Sequence, residues 1–236
     1  MRPKTKNGKK RAFSILIRVV LVMAIVSLAG ASVPLAKGYS LYKESTRDTC
    51  AVEVVDAIKV DEDYTNIENL PAYYLNAVIA VEDHRFFWHT GIDIISIGRA
   101  TFNNLKHLRF VEGGSTITQQ FAKNTFFTQD REIVRKVAEA FMAFDLERLC
   151  SKKELLELYV NTIYFGSGYY GVREAAIGYF GKEPCDLTFS EATMLAGIPN
   201  APSVYGPAHN SDLAKQRQRQ VIDRMIKYGY PIGEGE

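Results

Sequence analysis

The sequence is poor in cysteine, tryptophan and histidine, with three, one and four of these residues among 236. Cys50, Cys150 and Cys185 are too few and too scattered for a disulfide framework or a metal cluster of cysteines. At most one disulfide could form, and the spacing leaves open whether Cys150 and Cys185 pair. No internal repeat or low-complexity stretch is present.

Negative charge is missing from the N-terminal region, because no acidic residue precedes Glu44. The net charge of +2 hides this asymmetry. Eight of the 29 basic residues precede Gly38, which leaves 21 basic against 27 acidic residues from there on, or about −6. A uniformly basic nucleic-acid-binding protein is therefore not favoured, and we expect no nucleic acid among its partners.

The longest apolar run follows this basic segment. Residues 19–35 carry no charge and, with the apolar residues from Phe13 onward, are long enough to cross a bilayer. The pattern predicts a cytoplasmic tail at 1–12, a transmembrane helix at 13–37, and an extracytoplasmic remainder. A cleavable signal peptide is the alternative, since Ala29-Gly30-Ala31 offers small residues.

The rest of the chain divides into a connector and one domain. Residues 38–69 are polar and predict a connector with one short strand at 51–55. Residues 70–236 have helical periodicity and predict a mainly α domain. We expect helices from Pro71 to Glu82, from Arg131 to Arg148, after a Ser151 to Glu154 capping box, at 172–179, after a Ser190 cap, and from Asp212 to Gly229.

Two carboxylates end the first of these helices. Glu82 and Asp83 follow an apolar run and precede Phe86, Phe87 and Trp88. A carboxylate between apolar walls tends towards a raised pKa and can act as a general base. The alternative is that both residues only solvate a helix end. His89 fits a loop histidine better than a ligand.

A glycine-led polar run lies farther along the chain, where Gly113-Gly114 precede Ser115, Thr116, Thr118, Gln119 and Gln120. This composition indicates either a loop that binds a polar ligand or a glycine turn with Ser115 or Thr116 as the N-cap of a helix.

Several cations follow the polar run. Arg131, Arg135 and Glu139 lie at successive i,i+4 positions with Lys136 beside them, and Lys123 is nearby. This spacing is typical of a surface ion-pair ladder, but the same set beside hydroxyl and amide donors can bind a pyrophosphate.

The order of these motifs resembles the peptidoglycan glycosyltransferases of glycosyltransferase family 51. The resemblance runs from about Leu70 to Pro207. It is carried by Glu82-Asp83-His84-Arg85-Phe86 with His89 and Gly91, Gly113 to Gln120, Arg135-Lys136 with Glu139, Glu154 to Asn161, Tyr164-Phe165-Gly166, Glu174-Ala175-Ala176, Tyr179 to Lys182, and Glu191 to Gly197 with Pro199.

The resemblance implies a lysozyme-like, mainly α fold with a large lobe and a smaller, membrane-apposed lobe. It implies a substrate, lipid II, and a growing glycan strand as product, at the bacterial inner membrane. Glu82 matches the catalytic base, and Asp83 would support it or the sugar. Glu139 matches a second essential glutamate that orients cations or a Mg²⁺ or Mn²⁺ ion.

The resemblance also implies a substrate-binding set, which comprises Ser115, Thr116, Gln119, Gln120, Lys123, Arg131, Arg135, Lys136, His89 and Asn161. Ala138 departs from relatives that have a lysine there. Residues 106–110 match a membrane-facing segment. Divisome or elongation-complex proteins are expected partners, and no transpeptidase domain is expected. The alternatives are a lysozyme-like hydrolase or lytic enzyme, and a non-catalytic cell-wall scaffold.

Overall fold

The computed structural model describes residues 18, 30, 32–47, 50–109, 112–128, 132–208 and 210–232, and it is mainly helical. Residues 18, 30 and 32–45 are helical, and α1 denotes the helical residues 32–45. The remaining elements are α2 Ala51–Lys59, α3 Ala72–Glu82, α4 Ile94–His107, α5 Ile117–Phe126, α6 Glu132–Leu149, α7 Lys152–Thr162, β1 Tyr164–Gly166, β2 Tyr169–Tyr170, α8 Gly171–Phe180, α9 Phe189–Gly197, α10 Pro202–Tyr205 and α11 Ser211–Lys227. Short 3-10 turns lie at Ile67–Asn69, Phe86–Trp88, Pro184–Asp186 and Ile198–Asn200.

The core forms around α3, α5 and α7. Helix α5 packs against α6 and α7, while α3 packs against α9 and α11. Several of the largest buried side chains come from these helices, among them Tyr74, Phe121, Leu158 and Tyr159. Burial of this apolar area, at about 25 cal/mol per Å², is the main term that holds the helices together. The predicted mainly α character of the fold is confirmed.

Helix α4 lies at the edge of this core. It buries Ser96 and Ala100 among its residues. Its large apolar side chains face solvent instead, as do two side chains of the preceding 3-10 turn and the residue that caps its C-terminus; they are Ile94, Ile95, Ile97, Phe102 and Leu105, then Phe87 and Trp88, and Leu108. An exposed apolar surface of this extent is typical of a membrane or partner contact.

Two local predictions from the sequence were wrong. Residues 51–55 begin helix α2 and do not form a strand, because Ala51 and Val55 are four residues apart and bury the same face. The cap of α9 is Thr188 rather than Ser190, since the Thr188 side chain accepts from Glu191 N. The Ser151 capping box of α7 is confirmed.

Helix α1 packs closely on α6. A Cβ atom on Gly38 would lie 2.5 Å from Val137 and 2.9 Å from the carbonyl oxygen of Val134, so glycine is needed for this approach. Tyr42 donates a hydrogen bond to Asp145 and stacks on Phe141.

Most of the predicted tail at 1–12 and transmembrane helix at 13–37 lies outside the described residues. Among the helices that are described, none combines the length and the apolar character needed to cross a bilayer.

The three cysteines are all unpaired: Cys150 is buried, whereas Cys50 and Cys185 are exposed. This answers the question about Cys150 and Cys185 that the sequence left open.

Candidate active site

Glu82 is the last residue of α3. Its Oε2 accepts a hydrogen bond from Gln120 Nε2 at 2.8 Å. Its Oε1 is buried and has no hydrogen-bond partner. Burial raises the pKa of the Glu82 carboxyl, and the bond from Gln120 partly opposes this rise. Such a carboxylate has one fixed oxygen and one oxygen able to accept a proton.

Asp83 connects the end of α3 to the start of α5. Its Oδ2 accepts from the backbone N–H of Ile117 at 3.1 Å, and the same oxygen lies 2.9 Å from His89 Nε2. The side chain is buried. Asp83 therefore accepts from one of the N–H groups that have no partner within the helix at the N-terminus of α5. Its negative charge also interacts favourably with the positive end of the helix dipole.

His89 is buried against Asp83, with 6% of its side chain exposed, and its contact with substrate stays a prediction. The loop-histidine interpretation is the one that its contacts support. Asp83, His89 and Asp93 carry potential metal ligands within 4.8 Å of one another. However, Asp93 already accepts from Ile95 N, Ser96 N and the Ser96 hydroxyl and pairs with Arg85. Its oxygens are occupied, so this cluster is a structural network.

The glycine-led run folds as a helix start. Thr116 is the N-cap of α5: its hydroxyl accepts from Gln119 N and donates to the carbonyl of Gly91 at 2.6 Å. Gln119 completes the capping box by accepting from Thr116 N. Both side chains are buried. Both side chains are thus engaged in the cap, and their contact with substrate stays a prediction. Ser115 remains partly exposed.

Gly114 has a structural reason to be glycine. A Cβ atom there would lie 3.0 Å from the Cα atom of Ile97 on α4. Glycine at this position therefore permits a close backbone approach between the polar run and α4.

Gln120 donates to the Glu82 carboxylate and also lines a cleft. It lines a space of about 500 Å³ together with Lys123 and Arg135. The other walls come from the end of α5, the end of α7, the hairpin and the segment after α9; they are Asn124, Phe127, Thr128, Thr162, Ile163, Tyr164, Tyr170, Pro199, Asn200 and Pro202. Two predicted cations and one amide therefore face the same space.

Glu139 on α6 is 0% exposed and pairs with Arg135, which lines the cleft, and with Lys136. Its Oε1 pairs with Arg135 Nε at 3.2 Å and its Oε2 with Lys136 Nζ at 2.6 Å. A buried carboxylate with two cationic partners holds their side chains in place. Of the two roles expected for Glu139, the orientation of cations is the one that these contacts support.

Asn161, another predicted ligand, is not among the residues that line this cleft. Asn161 uses its amide to fix the connector, since its Oδ1 accepts from Thr65 N and its Nδ2 donates to Thr65 O and Glu157 O. Its assignment to substrate binding stays a prediction. Arg131 lies outside the described residues.

Sequence reasoning missed Arg217 and Tyr159. Arg217 on α11 donates to the carbonyl of Gly197 at 3.3 Å, and its positive charge lowers the pKa of Glu82. The sequence spacing could have placed Arg217 on the buried face of α11, because it lies four residues before Val221 and eight before Met225, which are both buried. Tyr159 donates to Gln120 Oε1 at 3.3 Å from a fully buried position.

The comparisons with known proteins agree with one another. Residues 51–226 match the model of the family described as Transglycosylase. Penicillin-binding protein 1A of Aquifex aeolicus is 47% identical over 71% of this chain and 23% of its own length. A "putative transglycosylase" of Cupriavidus necator is 38% identical over 96% of this chain and 94% of its own length. The chain thus spans about a quarter of the first relative and nearly all of the second.

Among solved structures, penicillin-binding protein 1A of Haemophilus influenzae matches with a TM-score of 0.41 and 23% identity, over 72% of this chain and 16% of that one. A score this low carries no conclusion about the fold.

Proposed function

The chain belongs to the transglycosylase family, and we propose on this basis that it is a peptidoglycan glycosyltransferase of bacterial cell-wall synthesis. It polymerises lipid II into β-1,4-linked glycan strands, with inversion at the anomeric carbon and release of undecaprenyl pyrophosphate. The family match over residues 51–226 supports the reaction class. The arrangement of the candidate site supports the division of roles among its residues.

The observation that carries the proposal is the state of Glu82. Gln120 holds Oε2, and Oε1 is buried without a partner. An unpaired carboxylate oxygen in a buried position is costly for folding, which favours a role in binding or catalysis. We assign Oε1 to the acceptor: it takes the proton of the attacking 4-hydroxyl. Burial raises the pKa of the Glu82 carboxyl in the direction of neutral pH, and a general base is most effective when its pKa lies near the working pH.

The donor substrate, with its pyrophosphate, binds in the cleft that is lined by cations. Lys123 and Arg135 face it, and Glu139 fixes Arg135 and Lys136 from below. Fixed cations stabilise the negative charge that develops on the departing pyrophosphate, and they need no rearrangement as it develops. Ser115 and Gln120 are the polar contacts proposed for the donor sugar.

The reaction then proceeds in one displacement. Oε1 of Glu82 accepts the proton as the acceptor oxygen bonds to the anomeric carbon. The bond to the pyrophosphate oxygen breaks on the opposite face, so an α linkage becomes β. General-base assistance of this kind contributes about a hundred- to ten-thousand-fold to the rate.

A divalent cation, Mg²⁺ or Mn²⁺, is part of the proposal, with Glu139 as its protein ligand. Mg²⁺ is usually held by one or two carboxylates together with substrate phosphates, and one buried carboxylate beside a pyrophosphate cleft fits that donor set. The cation would neutralise pyrophosphate charge. Lys136 must then leave Oε2, and its side chain, 45% exposed, has room to do so.

We propose that the enzyme works at the inner membrane with its catalytic domain outside the cytoplasm. The apolar run at 13–37 would span the bilayer, and the exposed apolar side chains around α4 form the small, membrane-apposed lobe. Trp88 is 82% exposed and Leu108 87% exposed, which suits side chains that enter a lipid interface. Membrane lipid and divisome or elongation-complex proteins are proposed partners.

The test is incubation of the full chain, in detergent micelles, with labelled lipid II. Glycan polymer and free undecaprenyl pyrophosphate are the expected products. Preformed glycan strands are the parallel substrate, because a lysozyme-like hydrolase would cleave them. Cleavage without polymerisation would contradict the transferase assignment, and turnover of neither substrate would favour a non-catalytic scaffold.

A further inference from the structure

Three side chains form a chain of hydrogen bonds that leads from the core to the proposed base. Tyr159 on α7 donates to Gln120 Oε1 at 3.3 Å, and Gln120 Nε2 donates to Glu82 Oε2 at 2.8 Å. We propose that Tyr159 is a positioning residue, whose hydroxyl sets the orientation of the Gln120 amide and thereby holds Glu82 for proton transfer. This inference rests on the proposed function in that it takes Glu82 as the base.

The amide group explains why the effect can pass through Gln120. Its oxygen and nitrogen lie in one plane, on opposite sides of the Cγ–Cδ bond, so fixing the oxygen also fixes the nitrogen. An ionised carboxylate only accepts hydrogen bonds, so it needs the nitrogen to face it. Tyr159 meets this need by donating to the oxygen. Without that donor, the amide can rotate and present its oxygen to Glu82, where two acceptors would repel each other.

Tyr159 suits this role because its hydroxyl stays protonated. The residue is 1% exposed, and burial raises its pKa well above the usual tyrosine value, with the charge of Glu82 adding to the rise. It is therefore a donor throughout the working pH range. Its ring is part of the core, so Tyr159→Phe removes the hydroxyl and leaves the packing in place.

Tyr74 provides a matched control. It lies on α3, is 0% exposed, and its hydroxyl has no hydrogen-bond partner. Tyr74→Phe removes a hydroxyl from the same core without breaking a hydrogen bond. A general effect of losing a buried hydroxyl would appear in both variants, whereas a positioning effect would appear only in Tyr159→Phe.

The first experiment compares both variants with the unaltered enzyme on lipid II across pH. We expect Tyr159→Phe to lower kcat about tenfold, the effect of one lost hydrogen bond of ordinary strength, with KM nearly unchanged. Loss of the Gln120 bond also removes a contact that lowers the pKa of Glu82, so the acidic limb of the profile should move to higher pH. Tyr74→Phe should leave kcat and the profile unchanged.

A double-mutant cycle tests whether Tyr159 acts through Gln120. In a Gln120→Ala background, adding Tyr159→Phe should cost no further activity, because the connecting amide is already gone. Additive losses would overturn the inference, as would an unshifted pH profile in folded Tyr159→Phe, or equal effects of Tyr159→Phe and Tyr74→Phe.

A second measurement does not depend on turnover. The side-chain amide signal of Gln120, assigned by its loss in Gln120→Ala, should titrate with Glu82 in NMR spectra. The apparent pKa of this titration should rise in Tyr159→Phe. An unchanged value would contradict the positioning role of Tyr159. If the Gln120 amide titrated with Glu82 in a protein that made no glycan polymer, the proposed function would be contradicted. The positioning of Glu82 by Tyr159 through Gln120 would then still hold.

Discussion

The Asp83 carboxylate accepts a hydrogen bond from the backbone N–H of Ile117 at 3.1 Å, across 34 positions of sequence. The residue that follows the proposed base thus holds the first turn of α5, the helix that carries Gln120 and Lys123. A fixed distance between base and donor cleft is what catalysis by positioning requires. Asp83 provides it through the backbone, without contact to substrate.

Asp83→Ala should therefore act on stability and activity together. It leaves the Ile117 N–H and His89 unpaired in a buried place, at a cost of about 2–3 kcal/mol. For a domain of this size that corresponds to roughly 5–10 °C in Tm. Asp83→Asn keeps one acceptor oxygen and should lose about half as much. Thermal melts and lipid II turnover measure both quantities.

Glu68→Gln is the control for this experiment, because Glu68 pairs with Lys153 on the surface and both side chains are mostly exposed. Its Tm should not change, since exposed ion pairs contribute little. If Asp83→Asn abolished turnover without lowering Tm, Asp83 would act on the base or the sugar directly.

Thr116 and Ser115 should separate stability from binding. Thr116→Ala removes an N-cap and should cost about 1–2 kcal/mol, with no change in KM for lipid II. Ser115→Ala leaves the cap intact and should leave Tm unchanged while raising KM, if Ser115 contacts the donor sugar. A higher KM with unchanged Tm in Thr116→Ala would return Thr116 to the binding residues.

The rate should fall as pH drops through the pKa of Glu82. The carboxyl must be ionised to accept a proton, and burial raises its pKa, so the acidic limb of kcat/KM should lie above the usual range for glutamate. Glu82→Gln should lower kcat about a hundred- to ten-thousand-fold and remove that limb, while lipid II binding persists. Near-normal turnover in Glu82→Gln would disprove the assignment of the base.

Much of this arrangement was predictable from sequence, because its signals are local. The apolar run before Glu82 ends where α3 ends, and Ser151 with Glu154 forms the capping box of α7. Spacing of four residues placed Arg135 and Glu139 on one face of α6, where they pair.

The substrate contacts predicted for Thr116, Gln119 and Asn161 share one ambiguity. Hydroxyl and amide side chains serve equally well as caps and as ligand contacts, and sequence spacing does not distinguish these roles. Thr116, Gln119 and Asn161 bond to backbone groups of this chain, at distances from 2.6 to 3.2 Å. The contacts of Asn161 with Thr65 and of Asp83 with Ile117 join segments far apart in sequence, so only the folded chain defines them.

Glu139 and Lys136 give the sharpest test of the divalent cation. Lys136 Nζ lies 2.6 Å from Oε2 of Glu139, the carboxylate to which the cation is assigned. The ammonium group and a divalent cation would therefore compete for the same oxygen. Lys136→Ala removes the competitor but also one cation that would bind pyrophosphate.

We expect three results from activity measured against added MgCl₂ after EDTA treatment. The unaltered enzyme should lose turnover in EDTA and regain it with Mg²⁺. Lys136→Ala should have a lower maximal rate but reach half of it at a lower Mg²⁺ concentration, because Oε2 is then open to the metal. Glu139→Gln should not regain turnover at any Mg²⁺ concentration, and its Tm should fall, because Arg135 and Lys136 lose their buried partner. Full activity of the unaltered enzyme in EDTA would show that the cations of α6 alone neutralise the leaving group.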